Sequence, residues 1–288
     1  MTRLILGTAQ LGSGYGITNN RRRIADDTVR AILRTAITRG IETFDTAVEY
    51  DDSQDRLGEL LTRPTRARFI TKFSLAPDGT APSAEAMFTE SMRRLRVDSL
   101  AGLLFHRIDD LRDARCAAAI EILREAQSAR VVERIGASIY DRADLDLVLE
   151  TFPDLSVLQI PANIVDRRLL DDTDVAALHT AGVEIHVRSA FLQGLLLADP
   201  ETFDSRFAPL VPVVEQLRAF ADDNGLRPVD IVLGFLAQHP NVDGVLVGAT
   251  NVEELEANAD AWVAASNVAF DPDEVLPIEV IDPRLWSN

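Results

Sequence analysis

Three apolar runs in this chain each end in one ionisable side chain: Thr43-Phe44-Asp45, Phe69-Ile70-Thr71-Lys72 and Leu103-Leu104-Phe105-His106. Tyr50 follows shortly after the first. Tyrosine titrates near ~10, so at neutral pH it gives up a proton only if something stabilises its anion. A lysine ammonium ~4 Å away, at an effective dielectric of ~20, is worth about 4 kcal/mol, or roughly three pKa units. A carboxylate beside that lysine holds it charged and in place while giving back part of the shift. Asp45, Lys72 and Tyr50 would together form a general acid usable near neutrality, with His106 as a donor that orients a carbonyl oxygen. The chemistry these types imply is protonation of an oxygen while something else attacks the carbon.

Lys72 carries extra weight. Of the 29 lysines and arginines, it is the single lysine. A compact ammonium and a planar guanidinium are not interchangeable, so its retention marks a functional position. An arginine-rich coding background is the plain alternative. A lone lysine at a strand end is also how some barrel enzymes form an imine with a carbonyl substrate, which leaves a Schiff-base lyase as a competing reading.

Other reactive types are sparse. The four histidines, 106, 179, 186 and 239, show no metal-ligand spacing. His179 and His239 read as helix-surface residues, and His186 alternates within a strand as a structural side chain. Cys116 is the lone cysteine and sits in an alanine-rich helix. It reads as a buried structural thiol, excludes an intramolecular disulfide and suits a reducing cytoplasm. Gly12-Ser13-Gly14-Tyr15-Gly16 lacks the spacing of a dinucleotide fingerprint, and there is no Walker loop.

The elements that must position these groups alternate. Strands are expected at 4–7, 43–45, 69–72, 102–106, 134–138, 157–161, 184–189 and 244–248. Helices are expected at 26–39, 54–61, 83–95, 115–129, 142–151, 171–181, 212–223, 229–238 and 252–264. In the first helix Val29, Ile32, Leu33, Ala36 and Ile37 recur at helical spacing and Gly40 stops it. The strands are short and almost continuously apolar, as when both faces are buried. No repeat or linker divides the chain. Eight strand–helix units over 288 residues point to one α/β domain, a (β/α)8 TIM barrel spanning residues 1–288, with the reactive groups meeting at one mouth. A doubly wound open sheet is the alternative.

The net charge of −17 argues against nucleic acid or an anionic membrane as partner. No apolar run is long enough to span a bilayer, and Met1 to Gly7 enters a strand without a signal-peptide plan. These readings place the protein in the cytoplasm, and oligomeric state is silent.

Taken together, the motifs resemble those of the aldo-keto reductases, over essentially the whole chain. The family's Asp-Thr-Ala-x-x-Tyr is similar to Asp45 through Tyr50, its Thr-Lys to Thr71-Lys72 and its strand-end histidine to His106. The resemblance implies Tyr50 as proton donor, Lys72 and Asp45 tuning it, and His106 orienting the carbonyl. It also implies an extended nicotinamide cofactor, NADP(H) before NAD(H), across the barrel mouth. Gly7, Thr8 and Asp45 would lie along it, with Ser138 and Gln159 at its carboxamide. Arg188, Ser189, Leu192 and Gly194 would lie along its pyrophosphate, and Gly248, Thr250 and Asn258 beside its adenosine. A carbonyl substrate would be met by Tyr15, Tyr140, Asn163 and Trp286. Asp51-Asp52-Ser53-Gln54 departs from the family's Gly-x-Ser-Glu, Ile139 replaces an asparagine, and no N-terminal hairpin precedes Leu4. The string Leu6 to Gly12 with Arg188 to Gly194 is similar to a bacterial branch linked with sugar and polysaccharide metabolism. A non-catalytic nicotinamide-binding subunit on the same fold is the remaining reading.

Overall fold

The computed structural model describes residues 2–12, 23–61, 66–75, 83–264, 270–272 and 276–286. Eight parallel strands close into a barrel in chain order. They are β1 (Arg3–Gly7), β2 (Thr43–Asp45), β3 (Arg68–Phe73), β4 (Gly102–Phe105), β5 (Ile135–Ser138), β6 (Val157–Pro161), β7 (Glu184–Arg188) and β8 (Gly244–Val247). β8 returns to β1 through pairs running from Arg3 with Gly244 to Leu6 with Val247. The closed ring excludes the open sheet.

The strands are jacketed by α1 (Ala9–Gly12), α2 (Asp26–Thr38), α3 (Ser53–Leu60), α4 (Ala84–Leu95), α5 (Cys116–Ser128) and α6 (Arg142–Thr151). These continue as α7 (Thr173–Thr180), α8 (Val211–Asp223), α9 (Pro228–Ala237), α10 (Val252–Ala264) and α11 (Ile278–Ile281). Helix ends follow local chemistry. Ser83 is a cap rather than a helical residue: its Oγ accepts from the Ala86 N–H at 3.2 Å, so α4 begins one residue later than expected. Asp141 and Asp172 cap α6 and α7 through side-chain oxygens. Gly40 ends the turn after α2 at φ +78°, a conformation costly for a residue with a Cβ. Val29, Ile32, Leu33 and Ala36 of α2 are buried against the barrel, the valine, isoleucine and leucine contributing about 1.5–3 kcal/mol each.

Inside the barrel, strand alternation sorts side chains into layers. Ile5, Ile70, Leu104, Val157 and Leu246 form an apolar middle. Below it, at the N-terminal ends of the strands, Arg3, Arg68, Arg134, Glu184 and His186 surround a small cavity. Glu184 is paired there with Arg3 and with Arg134 at 2.6 Å. His186 lies 3.0 Å from the Arg3 guanidinium and 3.1 Å from Glu184. Above the apolar layer the same parity carries Gly7, Asp45, Lys72, Gln159, Arg188 and Gly248 to the opposite mouth.

Candidate active site

The first reactive side chain is set by the shortest strand. β2 ends at Asp45, which is 2% exposed, and the chain turns at once through Thr46 to Tyr50. Asp45 is the hub. Lys72 Nζ from β3 donates to its Oδ1 and, at 3.0 Å, to the Thr46 carbonyl. Gln159 Nε2 from β6 donates to its other oxygen at 3.0 Å. Lys72 is 1% exposed, so its ammonium is fixed, charged and shielded. It stands 5.1 Å from the centre of the Tyr50 ring.

Tyr50 meets His106 edge-on, with ring centres 5.6 Å apart. His106 Nδ1 is 2.8 Å from Glu49 Oε2. A carboxylate only accepts, so the proton lies on Nδ1. Burial pushes the Glu49 carboxyl up, but the hydrogen bond and charge of His106 outweigh it and hold Glu49 below its usual range. The sequence reading missed Glu49; a second carboxylate within the Asp45–Tyr50 loop was the available signal.

One expectation is overturned. The lysine was expected to draw the phenol toward neutrality, yet Tyr50 is pushed well above its ordinary value. Burial is the main cause and the Asp45 carboxylate the second, with Arg188 pulling the other way. Asp45 cancels the charge of Lys72 at short range, so little of it reaches the phenol. Tyr50 therefore stays protonated across the physiological range.

The Tyr50 loop is held from behind. Ser53 Oγ donates to the Thr8 carbonyl at 3.0 Å and lies 2.9 Å from Thr8 Oγ1. Gly12 packs so closely that a Cβ there would sit 2.0 Å from the Tyr50 carbonyl oxygen and 2.9 Å from the Ser53 nitrogen. Gly12 thus serves the reactive loop by lacking a side chain, and it closes α1. Residues 13–16 of that stretch, Tyr15 included, lie outside the described residues.

A cleft of about 960 Å³ opens over this constellation. Gly7, Thr8, Asp45, Tyr50, Gln159, Arg188, Ser189, Gly194, Gly248, Thr250 and Asn258 all line it. Gln10, Arg23, Phe191 and Glu254 line it too. The volume is at the upper end for small-molecule sites, larger than a small carbonyl compound needs. Lys72 supports the wall from behind Asp45. Ser138 lies just under it, 3.3 Å from Gln159 Oε1 and from Arg188 Nε.

Three expected contacts are corrected. Leu192 is fully buried in a second apolar cluster with Phe207, Leu217 and Trp286, so it anchors the loop after β7 from inside. Asn163 is a strut: its Nδ2 donates to the Ser189 carbonyl at 3.1 Å and its Oδ1 accepts from the Val165 and Asp166 N–H groups. Trp286 packs on Phe207 at 5.0 Å and donates from Nε1 to the Glu279 carbonyl at 3.1 Å. Each lies in a connecting segment where tertiary packing sets the direction of the side chain. Tyr140 remains at the mouth, beneath the Arg188 guanidinium at 3.9 Å.

At the start of α10, Glu254 turns back on its own helix. Its carboxylate accepts from the Thr250 N–H at 2.8 Å, from Thr250 Oγ1 at 2.9 Å and from Asn251 Nδ2 at 2.9 Å. The donor set there binds an anion, and an internal carboxylate now occupies it.

Comparison with known proteins agrees with the geometry. A sequence model of the Aldo/keto reductase family matches residues 3–281. Aldo-keto reductase str7 of Strobilurus tenacellus is 27% identical over 305 aligned positions, spanning 95% of this chain and 85% of that protein. L-galactose dehydrogenase of Arabidopsis thaliana is 25% identical, spanning 96% and 88%. Among solved structures, an aldo-keto reductase of Bacillus halodurans superposes with a TM-score of 0.72 at 22% identity, covering 93% of this chain and 88% of that one. One from Klebsiella pneumoniae, solved with NADPH, gives 0.69 at 19% identity, covering 90% and 85%.

Proposed function

Because the chain belongs to the Aldo/keto reductase family, and is on that ground an NAD(P)H-dependent oxidoreductase, we propose that it reduces an aldehyde or ketone to the alcohol with Tyr50 as proton donor. The observation that carries this is the convergence of Tyr50, the Asp45–Lys72 pair and the His106–Glu49 pair beside a cleft that could admit a dinucleotide. When bound, the cofactor supplies hydride to the carbonyl carbon. Tyr50 gives its proton to the carbonyl oxygen. Lys72 holds the Asp45 carboxylate and Asp45 keeps Gln159 in place. His106, with Nδ1 committed to Glu49, offers an Nε2 donor to the oxygen when doubly protonated. A related protein is named for L-galactose, and a sugar or sugar-derived carbonyl is the substrate we propose here.

The Schiff-base alternative loses ground on one fact: Lys72 is buried and bound as an ammonium by Asp45 and the Thr46 carbonyl, whereas imine formation needs an accessible free amine. Borohydride trapping with a carbonyl substrate should leave Lys72 unmodified. Tyr50→Phe should cut turnover by ~10²–10⁴, the range of general acid–base catalysis, with little change in cofactor affinity. A Phe variant retaining more than about a tenth of the activity would identify another donor.

Gly7, Thr8, Gln159, Ser189, Gly194, Gly248, Thr250 and Asn258 are the groups we propose to hold the cofactor. The anion-binding donors at the start of α10 fit a phosphate, which supports NADP(H). Glu254 must give them up first, at a cost that NAD(H) avoids. The expected result is use of both, with NADPH favoured by no more than about tenfold, or ~1.4 kcal/mol. Dissociation constants from fluorescence quenching decide it, and a hundredfold preference would count against this role of Glu254.

A further inference from the structure

Arg188 lines the cleft and has no task in the reaction above. The chain has 46 acidic residues against 29 basic ones. The cleft's other arginine, Arg23, is held by Asp52 at 2.7 Å and by Asp26 at 3.4 Å. Arg188 has no carboxylate partner among the described residues. Its Nε donates to Ser138 Oγ at 3.3 Å and its Nη2 to the Ile139 carbonyl at 2.8 Å, while Ser189 Oγ stands 3.5 Å from Nη1. The guanidinium carbon lies 3.9 Å from the Tyr140 ring centre, which fixes the plane of the fork. Arg284 approaches the same ring at 4.6 Å but is neutralised by Asp282 and Asp141.

Arg188 is thus partly withdrawn from water, held rigid, and uncompensated in a protein with carboxylates to spare. Such a cation is costly unless a ligand brings the missing charge. A planar fork with open N–H groups matches the paired oxygens of a carboxylate or phosphate. Its place in the cleft is also defined. Ser138 ends β5 and Ile139 follows it, beside Gln159 and the Asp45–Lys72 pair. Among the described charges, that of Arg188 is the one that acts on the Tyr50 phenol to lower its pKa most clearly. The fork therefore stands near the reacting end of the cleft.

Resting on the carbonyl reduction proposed above, we propose that the substrate is an anionic carbonyl compound. Its carboxylate or phosphate binds the open side of Arg188 while its carbonyl oxygen faces Tyr50. The cofactor's diphosphate is the other source of the same chemistry, and the two are separable.

The experiment uses the full chain with NADPH and matched substrate pairs, 4-oxobutanoate against butanal and glyceraldehyde 3-phosphate against glyceraldehyde. Wild type should favour the anionic member of at least one pair by about ten- to hundredfold in kcat/KM, the reach of a charge-assisted hydrogen bond, expressed mainly in KM. In Arg188→Gln that ratio should fall to within about threefold, and Arg188→Lys should restore part of it. No preference in wild type overturns the proposal. So does a preserved ratio in Arg188→Gln accompanied by a tenfold weaker NADPH dissociation constant, which would assign Arg188 to the diphosphate. If no carbonyl compound is turned over, the proposed reaction fails, and calorimetry with 4-oxobutanoate and glyceraldehyde 3-phosphate decides the inference. Binding by wild type that Arg188→Gln loses supports the anion site; no binding, or equal binding by both, sinks it.

Discussion

Asp51 follows Tyr50, the proposed proton donor, in a left-handed conformation, at φ +47°. Aspartate tolerates this region better than most residues, but a non-glycine residue there still costs on the order of 1 kcal/mol. The strain lies where the family commonly has glycine, and it sets the direction in which Tyr50 leaves its loop. The neighbouring lysine is a stricter case. Lys72 fills a buried slot with one short donor to Asp45 and one to Thr46. A guanidinium keeps the charge but spreads it over a plane wider than the slot, displacing Asp45 and through it Gln159. Lys72→Arg should lower turnover at least ~10²-fold while circular dichroism and cooperative melting persist. Wild-type-like turnover in that variant would mean that any cation serves.

At the scale of elements, the loop that carries Tyr50 is positioned by α1, and Gly12 is the contact that allows it. Gly12→Ala places a methyl carbon where the Tyr50 carbonyl stands. Backbone cannot yield as a side-chain tip can, so α1 and the loop must part. We expect a loss of about 1–3 kcal/mol in denaturant unfolding, as for overpacked sites, with a fall in kcat larger than the change in cofactor affinity. Unchanged stability and turnover would show that the contact is slack. The loop after β7 carries more of the same strain, with Ser189, Leu192 and Gln193 all at positive φ. None of this was legible in the sequence. The strands were, because they are short, mostly apolar and largely buried on both faces, entirely so in β2, β4 and β8. Asp45, Lys72 and His106 were legible because they sit at or just past strand ends, where alternation fixes direction, and Tyr50 because of its spacing from Asp45 in the sequence. Asn163 and Trp286 were misread because nothing local tells a loop side chain whether it faces the cleft or ties the loop down.

At the scale of the whole molecule, the barrel is polar at both ends and apolar between. Among the described residues, the lower end holds an ionic plug of Arg3, Arg134, Glu184 and His186. Burial raises the Glu184 carboxyl, but its hydrogen bonds with His186 and Arg3 and the charge of Arg3 prevail and hold it at about 2. Burial lowers the His186 imidazole, keeping it neutral. Both signs agree. Unfolded histidine takes up a proton below ~6.5 and unfolded glutamate below ~4.3, so the unfolded state binds more protons as pH falls. Stability contributed by His186 should erode below about pH 6.5. That from Glu184 should be full above about pH 4.5 and lost as pH falls toward 2. Glu184→Gln should flatten the lower part of the curve of melting temperature against pH. A variant with the wild-type acid limb would assign acid sensitivity to other carboxylates.

The burial of Lys72 also has a consequence for labelling. The folded surface offers no lysine side chain to acylating dyes, bifunctional crosslinkers or aldehyde fixatives. The one ε-amine reacts only when β2 and β3 separate far enough to break its contacts with Asp45 and Thr46. Acylation of Lys72, followed by mass spectrometry, is then a single-site clock for opening of the barrel. Bound cofactor should slow it by favouring the closed state. Prompt labelling of native protein would reveal a mouth that breathes without unfolding.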